Sequence, residues 1–469
     1  MTLVLYNTRT RKKEVFVPIE PGHARVYTCG PTVYAPQHVG NMRSQLFADT
    51  LKRALLGEGY RVTHVINLTD VGHLTQDDLD EGEDKMEAAA RRSGRTAAEV
   101  AAEFTEQWRS DRERLGCLPP EVLCKATEHI PEQLEIIRAL EERGYTYRIE
   151  DGIYFDTSKF DRYAAFARID LAAQAEGARI GTVAGKRNPS DFALWKFAEP
   201  GVTRQQEWDS PWGRGFPGWH VECSAMSRRY LGDRFDIHTG GMEHVAVHHT
   251  NEIAQSECAF AEAPWVEVWM HHEWLTFPGG EKISKSKGHL LLVQDLVDAG
   301  IAPLAYRYFA LQAHYRQQQA FTMEAVQAAA TGHRRLIAQA ARLRTVEGPS
   351  ADARMAPFRE RFRAAIGDDL NTPRALAVVF EVLRGEGLEP ADQRDLVVEF
   401  DAWLGLGLAT AEAEAEAGES DPRIDALVAE RQAARQSRDF ARADAIRDEL
   451  AAEGVVIEDT AEGPRWKRT

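Results

Sequence analysis

Arg25-Val26-Tyr27-Thr28-Cys29-Gly30-Pro31-Thr32-Val33-Tyr34-Ala35-Pro36-Gln37-His38-Val39-Gly40-Asn41 is the stretch from which the fold can be read. Arg25 to Thr28 is short and β-prone, and Cys29-Gly30-Pro31 ends it. A helical pattern follows from about Asn41 to Leu56, and a second apolar run, Val62 to Leu68, comes next. Strand, glycine-bearing turn, helix and strand open a parallel α/β nucleotide fold, with ligands expected at the carboxyl ends of the strands. The turn has its own chemistry. A helix amino terminus offers unpaired N–H groups and a positive dipole end to phosphate oxygens. Gly40 lets a flat base approach the backbone, and His38 and Asn41 can donate to a triphosphate. An ordinary turn could be written with the same His-x-Gly-Asn residues, so the string alone is weak.

Further along, about Ala88 to Leu115 reads as one charged helix. Pro119 to about Ala198 alternates helical pieces with a β-like patch at Tyr145 to Phe155, as an insertion would. The α/β pattern resumes with Phe235 to Ile237, a helix near His244 to Phe260 and an apolar run at Val266 to Met270, ahead of the Gly- and Lys-rich Pro278 to Gly288. The expected organisation is an α/β, Rossmann-like catalytic domain in two halves, residues 1–115 and 205–292, around an insertion at 116–204. A helical bundle at 293–408 follows, with Asn371-Thr372-Pro373 as an internal helix start. An Ala/Glu linker at 409–420 and a small module at 421–469 complete the chain. No repeat of about 20–50 residues is present, which excludes a solenoid or propeller.

With 469 residues the chain exceeds the roughly 250–300 at which single cores stop growing. No apolar run approaches the ~20 residues of a membrane span, and no secretion signal is visible at the amino terminus. A formal charge of −16 argues against holding nucleic acid by bulk electrostatics, so any RNA contact must be local. The five cysteines, Cys29, Cys117, Cys124, Cys223 and Cys258, are odd in number and scattered. They suit a reducing compartment better than a disulfide framework, and a cytoplasmic location is expected.

Two further groups carry chemistry. Lys282-Ile283-Ser284-Lys285-Ser286, between Gly280 and Gly288, brackets a serine with lysines that could follow charge building on a transferring phosphoryl group. A basic surface loop is the plainer reading. Cys29, Cys223, His248 and Glu252 have the donor chemistry of a zinc site, and the last two, four apart, share one face of a helix. Two cysteines so far apart are often ordinary core residues. The position of Cys29 at the end of the first strand, just before the phosphate turn, favours a site.

Over nearly its whole length the chain resembles the cysteinyl-tRNA synthetases, class I aminoacyl-tRNA synthetases. The resemblance is carried by Tyr27 to Tyr34 with His38-Val39-Gly40-Asn41, Gly218-Trp219-His220-Val221-Glu222-Cys223-Ser224-Ala225-Met226, and His248 to Gln255. Lys282 to Ser286, Asp439 to Asp444 and Glu458-Asp459-Thr460 complete it. The sequence departs from the commoner pattern at Thr250, at Ala246-Val247 and at Gly72-His73. None of these is a proposed ligand, but detailed roles for His220, His238, His244 and His249 stay open between pocket and core. His271 and His272 read as core residues.

The resemblance implies activation of L-cysteine by ATP with Mg²⁺ and transfer of the cysteinyl group to cysteine tRNA. It implies one zinc per chain, held by Cys29, Cys223, His248 and Glu252 and bound by the substrate thiolate. Soft sulfur preference then separates cysteine from serine by roughly 10⁴ without editing. His38, Gly40, Asn41 and Lys285 are the implied ATP residues, with His38, Asn41, Lys282 and Lys285 catalytic. Thr69 and Trp219 belong to the amino-acid pocket, and Phe440, Asp444 and Asp459 to the anticodon module. A monomer is expected. Two rivals remain: an ATP-dependent ligase that transfers cysteine to an amino sugar, against which the terminal module counts, and a non-catalytic tRNA-binding paralogue.

Overall fold

The structure, a computed structural model, describes residues 2–72, 74–76, 81–168, 183–198, 201, 204–277, 291–412, 422–437, 439–460 and 463–468. Strand β1 (His23–Thr28) leads to helix α1 (Val39–Gly57), and β2 (Arg61–Leu68) and β3 (Val122–Lys125) follow. Later come α2 (Trp219–Leu231), β4 (Phe235–Gly241), α3 (His248–Phe260) and β5 (Val266–His272). The five strands form one parallel sheet in the order β5-β4-β1-β2-β3. β4 is buried at every position, as expected of a parallel strand covered on both faces. The chain runs outward from β1 one way and from β4 the other, so these neighbours flank a topological switch point, where a crevice opens at the carboxyl ends.

His38 caps α1 in extended conformation, its Nδ1 accepting the Asn41 N–H at 3.2 Å. Val39, Gly40 and Asn41 therefore form the first turn. The stretch read as one charged helix is two, Lys85–Ser93 and Ala97–Arg114. Gly94, at φ 66°, ends the first, and Thr96 with Glu99 makes a capping box that starts the second. The insertion also begins later than residue 116, because β3 pairs with β2 inside the parallel sheet. Beyond it, Gly215–Pro217, Phe192–Phe197, Gly152–Phe155 and Thr146–Ile149 make a four-stranded antiparallel sheet in that spatial order. The Gly218 N–H donates to Leu194 O at 3.0 Å, which docks the start of α2 on this sheet.

Helices Met323–Arg344, Asp352–Gly367, Thr372–Arg384 and Pro390–Leu404 follow, with Asn371 capping the third through the Arg374 N–H. Arg307, fully buried, ties this region to α1: it pairs with Asp49 and donates to Leu404 O at 2.6 Å, Leu115 O at 3.2 Å and Gly116 O at 3.3 Å. A buried guanidinium is tolerable only with such complete pairing.

The chain divides into two compact units, Met1–Thr410 and Ala411–Thr469. In the second, helices Pro422–Gln436 and Phe440–Ala452 pack with an antiparallel hairpin, Val455–Thr460 and Gly463–Arg468. Ile424, Val428, Ile446, Leu450 and Val455 form its core. Among the described residues no helix is long and apolar enough to cross a membrane.

Candidate active site and metal centre

A cavity of about 320 Å³ opens where β1 and β4 end. Its walls come from the first turns of α1 (His38, Asn41, Ser44), the end of β4 (Thr239, Gly240, Gly241), the start of α2 (Trp219, Cys223) and the end of β5 (His272). Thr69 also lines it, its hydroxyl donating to Glu222 Oε2 at 3.2 Å and accepting from Asn67 Nδ2 at 3.2 Å. Gly30 holds the floor. Its N–H donates to Asn67 Oδ1 at 2.8 Å, and a Cβ there would lie 1.6 Å from Asn67 O, so β2 could approach no other residue this closely.

Cys29, Cys223, His248 and Glu252 come together beside this cavity, each offering one donor atom, all within 4.8 Å of one another. Cys29 leaves β1, Cys223 lies in the second turn of α2, and His248 and Glu252 are one turn apart on α3. Their electrostatics suit a cation. Hydrogen bonding to Cys29 holds the Cys223 thiol down at about 7, while burial and then Cys223 push Cys29 well above the ordinary thiol range. Burial opposes the charged forms of His248 and Glu252, yet each outweighs it. Glu252 raises His248 to about 10, and His238 and His248 lower Glu252 to about 2. Glu252 Oε1 lies 2.8 Å from His248 Nε2, one turn away on the same face of α3. Two thiols, an imidazole and a carboxylate so disposed fit a zinc ion.

The neighbouring histidines support these groups. His238 Nε2 lies 2.9 Å from Glu252 Oε2, and His220 Nδ1 lies 3.0 Å from His248 Nδ1. His249 sits 3.4 Å from Cys29 Sγ and continues through His271, at 2.6 Å, to the Thr8 hydroxyl, at 2.7 Å. Burial, then the nearby histidines, drives His249 and His271 far below the ordinary range, so both are neutral; His244 is brought to about 4 by burial and His248. Cys29, His238, His249 and Glu252 form a second group of donors within the same 4.8 Å, sharing two members with the first. His271 is a hydrogen-bonded core residue, as read from sequence. His272 is not only that, since it also lines the cavity.

Trp219 lies over the His248 ring with centroids 4.1 Å apart and faces the cavity. Lys282 and Lys285 fall outside the described residues. In the second unit Phe440 is 61% exposed at a helix start, Asp444 pairs with Arg447 at 3.0 Å, and Asp459 lies in the hairpin strand Val455–Thr460. Sequence reasoning missed Asn67, Thr239, Lys85 and Trp108 as parts of the cavity. Asn67, two residues before Thr69 in an apolar strand, was the one with a signal, because a polar residue buried there needs a partner.

Comparison with known proteins agrees with this architecture. The profile of the family described as tRNA synthetases class I (C) catalytic domain matches residues 15–331. That of the DALR domain matches 361–385, and that of the Cysteinyl-tRNA ligase anticodon binding domain 417–466. Cysteine–tRNA ligase 1 of Burkholderia lata is 48% identical over 465 residues, covering 99% of this chain and 97% of that one. The Cysteine–tRNA ligase of Treponema denticola is 40% identical over 494 residues, with both chains fully covered. Among solved structures, a LeuRS–tRNA–LeuAMS complex from Agrobacterium radiobacter K84 is similar in fold alone. It has a TM-score of 0.59 at 13% identity and covers 85% of this chain and 87% of that one. Sheet, switch-point cavity and terminal domain together define a class I aminoacyl-tRNA synthetase. Within that class, the chain belongs to the cysteine–tRNA ligase family of enzymes.

Proposed function

We propose that the chain activates L-cysteine with ATP and passes the cysteinyl group to the terminal adenosine of cysteine tRNA, with zinc held by Cys29, Cys223, His248 and Glu252. The observation that carries this reading is the convergence of those four donors at the edge of the switch-point cavity, next to the capped amino terminus of α1. When bound, zinc would favour the thiolate of cysteine over the hydroxyl of serine. The protein's own groups do the rest. Trp219 and Thr69 border the amino acid, and the first turn of α1, with His38, Gly40 and Asn41, faces the phosphates. Lys282 and Lys285 are assigned to the same phosphates from sequence. Positioning and preorganised charge supply the rate when the carboxylate attacks the α-phosphate and pyrophosphate leaves; no protein nucleophile is required. Magnesium accompanies ATP. Phe440, Asp444 and Asp459 are assigned to the anticodon, and the match to an anticodon binding domain favours a tRNA acceptor over an amino sugar.

The test is transfer of labelled cysteine to total tRNA with ATP and Mg²⁺, together with zinc content and cysteine-dependent pyrophosphate exchange in Cys223→Ala. ATP-dependent charging, and loss of both zinc and exchange in the variant, are expected. Loss of zinc with exchange unchanged would remove the metal from substrate recognition. Exchange without charging would move the acceptor to a small amine.

A further inference from the structure

Arg43 lies one turn beyond His38 on α1, and only 3% of it is exposed. A buried arginine ordinarily has a carboxylate partner. Among the described residues Arg43 has none and is satisfied by main-chain carbonyls. Nη1 donates to Glu273 O at 2.7 Å and to Trp274 O at 2.8 Å, and Nη2 to Gln317 O at 2.8 Å. These acceptors belong to two separate segments. Glu273 and Trp274 follow directly on β5, whose last residue, His272, forms one wall of the cavity. Gln317 precedes the short strand Gln319–Ala320, which pairs with Leu275–Thr276. The opposite wall is α1 itself, through His38, Asn41 and Ser44.

We infer that Arg43 is a positioning residue for ATP: its guanidinium holds the phosphate-facing turn of α1 at a fixed distance from the end of β5 and so sets the width of the cleft. Two further bonds join the same turn to neighbouring chain, from the Val39 N–H to Leu291 O at 2.9 Å and from the Tyr306 hydroxyl to Val39 O at 2.6 Å. Neither reaches the β5 side. Phe47 of α1 also packs on His272, with ring centroids 5.7 Å apart, but the fork of Arg43 adds three hydrogen bonds across the gap, a task a planar guanidinium with donors in fixed directions can perform and an ammonium on a flexible stem cannot. Among the described residues no carboxylate forms an ion pair with it, and Glu273 acts on it only at longer range, so it also adds positive potential behind the helix terminus that receives the triphosphate.

The inference rests on the reading of His38 to Asn41 as the ATP turn, and the experiment separates the two. Cysteine- and ATP-dependent pyrophosphate exchange is measured on the full-length, zinc-loaded chain, with active sites counted by the burst of adenylate so that unfolded protein is discounted. Arg43→Lys keeps the charge and loses the fork. It should lower kcat/KM for ATP by roughly 10- to 100-fold, the order expected of a displacement of up to 1 Å, while zinc content and the KM for cysteine stay at wild-type values. Arg43→Met, which loses charge and fork, should be worse still, mainly in the KM for ATP. Wild-type exchange per titrated site in Arg43→Lys, or in Arg43→Met should the lysine variant not fold, would reduce Arg43 to a structural role. An equal rise in the KM for cysteine would likewise overturn a role specific to ATP. His38→Ala is the companion: if it exchanges normally, the ATP-turn reading fails; if it is impaired while Arg43→Lys is not, only the present inference fails.

Discussion

Replacing Gly30 by alanine tests how closely β2 must pack under the candidate metal site. The new methyl carbon would lie 1.6 Å from Asn67 O and 2.8 Å from the carbonyl carbon, where 3.0 Å is the shortest distance real Cβ atoms keep. Both are backbone atoms of a buried strand and cannot swing aside, so the β1 exit must shift by about 1.4 Å. The shift breaks the bond from the Gly30 N–H to Asn67 Oδ1, and the bond from the Cys29 N–H to Thr239 O at 3.2 Å adjoins it. Cys29 moves with its neighbour, out of its present placement relative to three donors that stay on α2 and α3. Overpacking of this kind costs about 1–3 kcal/mol of stability. A misplacement near 1 Å at a reacting centre costs about 100-fold in rate, or roughly 2.7 kcal/mol of barrier. Gly30→Ala should therefore fold, bind zinc weakly and lose about two orders of magnitude in kcat/KM for cysteine in pyrophosphate exchange, with zinc measured by atomic absorption. Zinc at full occupancy with exchange within about threefold of wild type would show that β1 does not position Cys29 in this way.

Other perturbations address separate parts of the chain. Trp219→Ala removes the ring 4.1 Å from His248 and should raise the KM for cysteine by about 3- to 10-fold, from the worth of an aromatic pair, with the KM for ATP unchanged; equal rises in both would refute a place beside the amino acid. Phe440→Ala should lower charging at limiting tRNA by roughly 10- to 100-fold and leave pyrophosphate exchange intact, and unaltered charging would remove it from RNA stacking. Arg307→Met leaves the buried Asp49 with one ion-pair partner among the described residues, Arg53, beside the Leu118 N–H, and should cost about 3–5 kcal/mol in urea denaturation, against less than about 1 kcal/mol if the pair behaved as a surface one. Asp392 is held at about 2 by its hydrogen bonds from Arg354 and from the Ala351 and Glu389 N–H groups, despite the burial of its side chain. An unfolded aspartate titrates near ~3.9, so this stabilisation is complete above about pH 4 and is lost as pH falls towards about 2. The stability gap between wild type and Asp392→Asn should accordingly be constant from pH 7 to about 5 and narrow below 4; a gap at pH 2.5 as wide as at pH 7 would contradict the assignment.

Local signals were legible in the sequence, and long-range pairings were not. The break in apolar period at Cys29-Gly30-Pro31 and the residues His38 to Asn41 marked strand, turn and helix start because each acts within a few residues. Asn371-Thr372-Pro373 located a helix cap for the same reason. The capping box at Thr96 and Glu99 was equally local but lay inside a run rich in helix formers, and one long charged helix was read across it. Strand β3, only four residues long, earns its place by pairing with β2 rather than by its own pattern, so it was assigned to the insertion. The four donors of the candidate metal centre could be named from their chemistry and the position of Cys29, and the family resemblance implied zinc for them. His64, which bonds the Thr28 hydroxyl at 2.9 Å beneath the cavity, and Arg43, which gathers distant carbonyls, carry no signal in their own neighbourhoods.

The pairing of β1 with β4 joins Thr28 to Thr239 across 211 positions of sequence. At the ~5–20 residues per second of translation, about 10–40 s separate the emergence of the two partners from the ribosome. Throughout that interval a nascent chain presents β1 as an open strand edge, which invites pairing with other chains, and Cys29 as a thiol with no companion donors. Chaperone demand and oxidative damage should therefore fall on the first half of synthesis, and metal capture on its end. Alkylation of Cys29 on ribosome-stalled chains measures this directly: the residue should react in chains that stop before Cys223 and become protected, with zinc present, once Glu252 has cleared the exit tunnel.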